Sequence, residues 1–418
     1  MKQHARPNPP TLWVLLSVVL VTGFGACSRA PRAAPNVVLI SIDTLRPDRL
    51  GCYGATTVET PTIDALARSG VRFENAYTPV PLTLPAHWTL HTGIEPWHHG
   101  VVDNGMTLGP SATPTLAEHF SAAGYDTAAF VAAFVLHRTF GLDRGFARYD
   151  DGPEEDAALD RLVHATAPAD ERVGRALTWL SRRTGKARPF FLWLHLYDPH
   201  APYQPPSDFR ARYGDRPYDG EVAFVDTQIA RLLAGLDRMG LDDNTLVVLT
   251  SDHGESLGEH GEETHGVLLY DATLHIPLIV RAPRATRTSG VRRDLVTLAD
   301  VAPTVLALAK LSPTPQFDGR NLFAQAEARS RRLGAISESP RRRLGWAALV
   351  SLRDADWKYI QAPRPELFDL RRDPREITNR IATESQRATD LARGARGIEH
   401  ELRDRLATRG SAEPSAEE

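Results

Sequence analysis

Five short clusters in the chain carry side chains able to bind metal or move protons. They are Asp43 in Ser41-Ile-Asp-Thr-Leu-Arg46, Thr83-Leu-Pro-Ala-His87, Asp198-Pro-His200, Ser251-Asp-His-Gly-Glu255, and the stretch from Glu259 to His265. Divalent cations of hard or borderline character take carboxylate and imidazole ligands. A hydroxyl brought to such an ion loses its proton near neutral pH and becomes a nucleophile. Asp43, the adjacent pair Asp252 and His253, and the Thr83 hydroxyl therefore make a four-ligand set in which Thr83 is both ligand and nucleophile. Histidines opposite that set have the chemistry to hold ester oxygens or to protonate a leaving group. His87 either orients the threonine or makes structural hydrogen bonds.

These clusters can act together only if the elements that carry them lie side by side. Residues 36–42 form an almost uninterrupted apolar run ending at Asp43, the pattern of a strand buried on both faces of a parallel sheet. Residues 189–196 before Asp198, 245–250 before Asp252, and 276–280 repeat that form, with helix-like stretches at 62–69, 115–123, 173–182 and 219–239. Strands alternating with helices predict an α/β fold with a doubly wound, mostly parallel sheet and helices on both faces. Ligands of such sheets bind beyond the carboxyl ends of the strands, where Asp43, Asp198 and Asp252 all fall. Further along, 346–352, a turn at 354–356 and 357–360 predict an antiparallel hairpin, 367–370 a further strand, and 384–406 a helix. The expected organisation is a catalytic domain over 36–325, a small C-terminal antiparallel subdomain over 326–406, and a disordered tail over 407–418.

The blocks SIDTLRPDRLGCYG, TLPAH followed by TLHTG, LHLYDPHAPY, YDGEVAFVDTQIARLL, SDHGESLGEHG, HIPLIVRAP, DLVTLADVAPTVLAL, FDGRNL and LFDLRRDPREITN run in that order from Asn36 to Arg380. They closely resemble successive blocks of the bacterial sulfatase family, within the alkaline phosphatase superfamily. The resemblance implies an alkaline phosphatase-like fold and a metal held by Asp43, Asp252 and His253, with the nucleophile on the same ion. Sulfatases place there a cysteine or serine in Cys/Ser-x-Pro-x-Arg that becomes formylglycine. Here Thr83-Leu-Pro-Ala-His87 matches, so no formylglycine is expected, and His87 stands where the arginine should be. Thr44 replaces a second aspartate, and Asp252-His253 replaces Asp-Asn.

Those departures point towards phosphorus chemistry. Thr-x-Pro-x-His looks like the pattern of nucleotide pyrophosphatases/phosphodiesterases, and SDHGESLGE with a following His-Gly resembles phosphoethanolamine transferases. Both kinds of relative use a metal-bound threonine. Exchanging Asn for His shifts the expected ion from calcium towards zinc or manganese. His265 stands where sulfatases keep a lysine on the ester oxygens, and His200 matches a substrate-facing histidine. Asp198 with His200 and His265 is alternatively a second metal site, as in phosphodiesterase relatives. The implied function is hydrolysis of phosphate or sulfate esters of a small molecule, lipid or glycan through a covalent Thr83 intermediate, with phosphodiesters or phosphonate esters slightly ahead of sulfate esters. The competing classes are a phospho-headgroup transferase, whose known members carry several membrane spans, and a binding module that has lost its chemistry, which would not retain Asp43, Thr83, Asp252 and His253.

A net charge of −3 over 418 residues gives no basic footprint, so no nucleic-acid partner is expected. The first 27 residues read as a secretory signal: Lys2 and Arg6, an apolar core over 11–22 too short for a membrane span, then small residues up to Cys27. Phe24-Gly-Ala-Cys27 resembles a bacterial lipoprotein processing site, so Cys27 is expected to carry lipid. It would anchor an exported domain to the cell-envelope membrane through a tether over 28–35. Only Cys27 and Cys52 are present, allowing at most one disulfide. His98 and His99 read as loop residues, His91 as a satisfied helix residue, His195 as structural, and the Arg-rich runs at 281–293 and 341–343 as solvated faces. The loops at 101–114 and 150–170 are expected to select substrate.

Overall fold

The computed structural model of the protein describes residue 1 and residues 34–108, 113–152, 167–183, 185, 188–312, 316–324 and 331–410. The expected signal, Cys27, most of the tether and residues 411–418 lie outside the described residues. Eight strands build the main sheet: β1 (Asn36–Ile42), β2 (Val71–Tyr77), β3 (Asp126–Phe130), β4 (Arg148–Asp150), β5 (Phe190–Leu196), β6 (Thr245–Ser251), β7 (His275–Arg281) and β8 (Gly290–Thr297). Their order across the sheet is β4-β3-β5-β1-β6-β7-β2-β8. β1 sits between β5 and β6 and is parallel to both, with Ser41 opposite His195 and Thr250. β7 pairs antiparallel with β6 and β2, so the strand expected at 276–280 is present but runs against its neighbours.

The apolar runs read from the sequence are strands because both faces need cover. Val37 and Leu39 of β1 enter one core, with Trp193, Val248 and the Thr83–Thr92 helix. Val38, Ile40 and Ile42 enter the other, against the helices Pro61–Ser69, Ala169–Ser181 and Pro217–Arg238. The Thr83–Thr92 helix is buried along its whole length, and Leu84, Trp88 and Leu90 each contribute about 2 kcal/mol of apolar burial. It ends at Gly93, whose φ of 68° closes the helix with a hydrogen bond to the Thr89 carbonyl.

A second, four-stranded antiparallel sheet follows, in the order β12-β11-β10-β9: β9 (Leu333–Ser337), β10 (Leu349–Arg353), β11 (Trp357–Gln361) and β12 (Glu366–Asp369). The helix Ser385–Gly410 packs on it through Leu391, Ala395 and Leu402. Residues 407–410, expected as tail, continue that helix. Five strands escaped the sequence reading: β2, β3, β4, β8 and β9. β2 is interrupted by half-buried Arg72, Glu74 and Asn75, and β8 is exposed at its start and buried only from Leu295 to Thr297, so neither shows a continuous apolar run. The Arg-rich stretch at 281–293 thus includes a strand as well as a solvated face.

Candidate active site

β1 and β6 are neighbours, so the residues that leave their carboxyl ends meet. Asp43 follows β1, its N–H donating to the Leu196 carbonyl at 2.9 Å. Asp252 and His253 follow β6. Thr44, next after Asp43, has φ of 56°, its N–H points at Asp252 Oδ1 (3.3 Å), and its hydroxyl donates to the Pro199 carbonyl. A non-glycine residue in the left-handed region is held there only by such surroundings. Thr44, in the place of a second carboxylate, is therefore spent on the backbone. Gly254 is required after His253 because a Cβ there would collide with the Ala272 carbonyl.

Asp43, Asp252 and His253 each offer one ligand atom, and these atoms lie within 4.8 Å of one another, all fully buried. His253 Nδ1–H donates to the Gly254 carbonyl at 2.9 Å, which leaves the lone pair on Nε2. That nitrogen is 3.6 Å from Asp43 Oδ1, 3.4 Å from Asp252 Oδ2 and 3.3 Å from Thr83 Oγ. Thr83 opens its helix, whose N-terminal dipole favours an anionic group, and the next amide, Leu84 N–H, is capped by Asn104 Oδ1 at 3.0 Å.

His87, His195 and Asp252 also lie close enough to share an ion, but hydrogen bonds occupy both ring nitrogens of His87 and Nδ1 of His195. His87 Nδ1–H donates to the Thr83 carbonyl (2.7 Å), and its Nε2 accepts from Ser41 Oγ (3.0 Å), which itself accepts from Trp193 Nε1 (2.9 Å). His195 Nδ1 accepts from the Ala132 amide (3.3 Å), so its proton sits on Nε2, which at 3.6 Å from Asp43 Oδ2 is beyond hydrogen-bond reach. Burial pushes both rings down to about 4, so both are neutral at physiological pH.

A divalent cation fits the first set. Both oxygens of Asp43 and Oδ2 of Asp252 are buried without a hydrogen-bond donor, a costly state unless a positive charge stands between them. Burial, then the charge of Asp252, drives the Asp43 carboxyl well above the usual carboxylate range, and burial, then His265, drives His253 well below that of an imidazole. An ion between the three would reverse both pressures.

His265 and His200 stand beside this set, their rings 5.1 Å apart, with His265 4.4 Å from the His253 ring. Burial works against a charged His265, yet the hydrogen bond from Nδ1 to Glu255 (2.9 Å) and the nearby carboxylates outweigh it and raise its pKa. His200 is held by Tyr197, stacked at 4.3 Å, and by a hydrogen bond to the Ala201 carbonyl. Asp198 does not join them: its Oδ2 accepts the Ala169 amide at 2.9 Å where the Ala169–Ser181 helix begins. The described residues therefore do not gather Asp198, His200 and His265 as a second ligand set.

Glu255 and His195 are the contacts the sequence reading missed. Glu255 is wholly buried in the SDHGE cluster, and its place two residues after His253 was the available signal. His91, expected as satisfied, is buried against Trp193 and Phe146 with neither ring nitrogen hydrogen-bonded. His98 bonds Asp318 and Glu401, and His99 bonds Thr89, which are structural contacts. Among the described residues Cys52 has no disulfide partner.

Residues 35–311 match the family model described as Sulfatase. The chain belongs to the sulfatase family, within the alkaline phosphatase superfamily, and its homologues are named as ester hydrolases. It is 27% identical to the uncharacterized sulfatase YidJ of Escherichia coli K12, across 83% of each chain. It is 26% identical to an arylsulfatase of Clostridium perfringens, across 84% of this chain and 91% of the relative. The fold is that of a phosphonate monoester hydrolase of Agrobacterium radiobacter, at TM-score 0.73 and 22% identity over 88% of this chain and 96% of that one.

Proposed function

We propose that the chain hydrolyses phosphate or sulfate esters through Thr83, with phosphodiesters and phosphonate esters ahead of sulfate esters. The observation that supports this most is Thr83 Oγ at 3.3 Å from His253 Nε2, beside three carboxylate oxygens that no donor satisfies. A zinc or manganese ion held by Asp43, Asp252 and His253 would lower the pKa of the Thr83 hydroxyl and draw the ester oxygens to it. Thr83 Oγ attacks phosphorus or sulfur, the bond to the leaving oxygen breaks, and that oxygen takes a proton from His265, whose pKa the hydrogen bond to Glu255 raises. Water then attacks the Thr83 ester, returning a proton to the histidine and releasing the acid. His200 steadies the ester oxygens. His87 acts on the threonine only through the backbone, as the far end of the Trp193–Ser41–His87 hydrogen-bond chain.

A threonine nucleophile favours phosphorus over sulfur here because the family's sulfatase chemistry rests on a formylglycine that this chain cannot form. The test is initial rate on four aryl substrates, a sulfate, a phosphate monoester, a phosphate diester and a phosphonate ester, after zinc, manganese or calcium is returned to stripped protein. Diester or phosphonate turnover that Thr83→Ala removes is expected; turnover dominated by the sulfate overturns the preference, and undiminished turnover in Thr83→Ala overturns the nucleophile. We further propose that residues 1–27 direct export and that lipid on Cys27 holds the domain at the envelope membrane. Palmitate labelling that Cys27→Ala abolishes is the expected result, and unchanged labelling would refute it.

A further inference from the structure

Residues 341–347, Arg-Arg-Arg-Leu-Gly-Trp-Ala, are exposed without a break, and both Leu344 (60%) and Trp346 (57%) show more than half their surface to solvent. The fold places this segment beside the site by contacts on two sides. At one end Ser337 Oγ donates to the carbonyl of Gly266, the neighbour of His265, at 3.1 Å. At the other, Arg343 forks onto Asp103 at 2.9 and 3.0 Å and reaches the Asn104 carbonyl at 3.4 Å, and Asn104 is the residue that caps Leu84 beside Thr83. The short helix Ser339–Leu344 therefore lies between the His265 side of the site and the Thr83 side, and the positive-φ turn at Gly345 folds the chain back so that the Trp346 amide meets the Pro340 carbonyl at 3.4 Å.

The charges on this segment are not equivalent. Arg341 pairs with buried Glu338 and Arg343 with buried Asp103, which fixes the segment's position. Arg342 has no carboxylate partner among the described residues, and it lies in the same exposed run as the indole of Trp346. An unpaired guanidinium and an open aromatic face at the edge of an ester-hydrolase site match an alcohol that carries a ring and a second negative charge.

We propose that the segment from Ser339 to Trp346 is the subsite for the leaving alcohol, a ring-bearing molecule with an anionic group besides the ester. Trp346 takes the ring and Arg342 the second anion. This rests on the ester-hydrolase reading of the Thr83 site, and the experiment separates the two. Kinetics on a pair of aryl esters with the same reacting group, one neutral and one with a ring sulfonate, are combined with calorimetric binding of 4-hydroxybenzenesulfonate, which requires no turnover. In Arg342→Ala the ratio of kcat/KM for the sulfonated over the neutral ester falls roughly tenfold, chiefly through KM, and the Kd of the sulfonate rises by a similar factor. Trp346→Ala raises KM for both esters. Absence of turnover in the wild type would refute the ester-hydrolase reading while the Kd series still decides the subsite. Kd unchanged in both variants overturns the proposal. So does a defect confined to binding of phosphatidylglycerol vesicles, which would make the segment a membrane contact.

Discussion

Two of the charge clusters inside this protein are built on opposite rules. Where the second sheet meets β7, Asp271 receives Lys358 Nζ at 2.8 Å and Arg353 at 3.0 Å, and Lys358 also reaches Glu376 at 2.7 Å. Two acids face two bases, and Arg353 lies 3.6 Å over the Tyr77 ring. Burial alone would raise the Asp271 carboxyl, but Arg353 and Lys358 hold it well below the usual range. At the ends of β1 and β6, Asp43 and Asp252 are buried more deeply still, yet among the described residues no lysine or arginine pairs with them, and burial, then the charge of Asp252, drives Asp43 upward. A balanced cluster holds parts of a fold together; an unbalanced one is built for a charge that arrives from outside.

The sharpest way to break that comparison is the same substitution in both clusters. Asp43→Asn removes a ligand, so turnover should fall by at least about a thousandfold. The chelated protein, relieved of an unpaired buried charge, should gain on the order of 2 kcal/mol in urea unfolding at pH 7.5. Asp271→Asn should do the reverse, costing about 3–5 kcal/mol while activity per folded molecule is kept. Stability changes of the same sign in the two variants would show that the clusters are not different in kind.

The sign of the pH dependence follows from the same contrast. Asp43, with a raised folded pKa, contributes stability to the chelated protein below its unfolded pKa near 4, and that contribution is lost as pH rises. Asp271, with a depressed one, contributes above that pH and loses its share as pH falls. A smaller effect is expected at His265. Glu255→Gln removes the hydrogen bond that raises its pKa, so the alkaline limb of kcat should move to lower pH by about one unit while the acid limb stays. An effect on stability alone is expected at Glu95, which burial, then Asp300 and Asp318, push up to about 8. Its folded pKa is raised, so stability present below about 4.5 declines as pH rises through 8. Glu95→Gln should flatten that decline, worth on the order of 2 kcal/mol between pH 5 and 8.5 by thermal melts.

How much could be read from the sequence depended on whether a residue's role was local. β1, β5 and β6 were legible because burial on both faces writes an unbroken apolar run, and Asp43 and Asp252 were legible because they end such runs. The Thr83 helix offered only its motif, since a helix buried on every side shows no polar face. β2 and β8 were hidden by charged residues that face solvent on part of their length. His195 was hidden for another reason: its contact with Asp43 comes from the parallel register of β1 and β5, which pairs Ser41 with His195 across 154 positions of sequence. Asp198 misled in the same way, because nothing beside it announced that the Ala169 amide would claim its carboxylate.

The central claim, that the hydroxyl of Thr83 carries the transferred group, is tested most directly by acid-quenching turnover of an aryl phosphonate or phosphodiester and mapping the covalent adduct by peptide mass spectrometry. The account predicts the phosphorus group on Thr83, in the peptide that contains Leu84 and His87, and its absence from Thr83→Ala. An adduct on another residue, or steady turnover in Thr83→Ala, would contradict it.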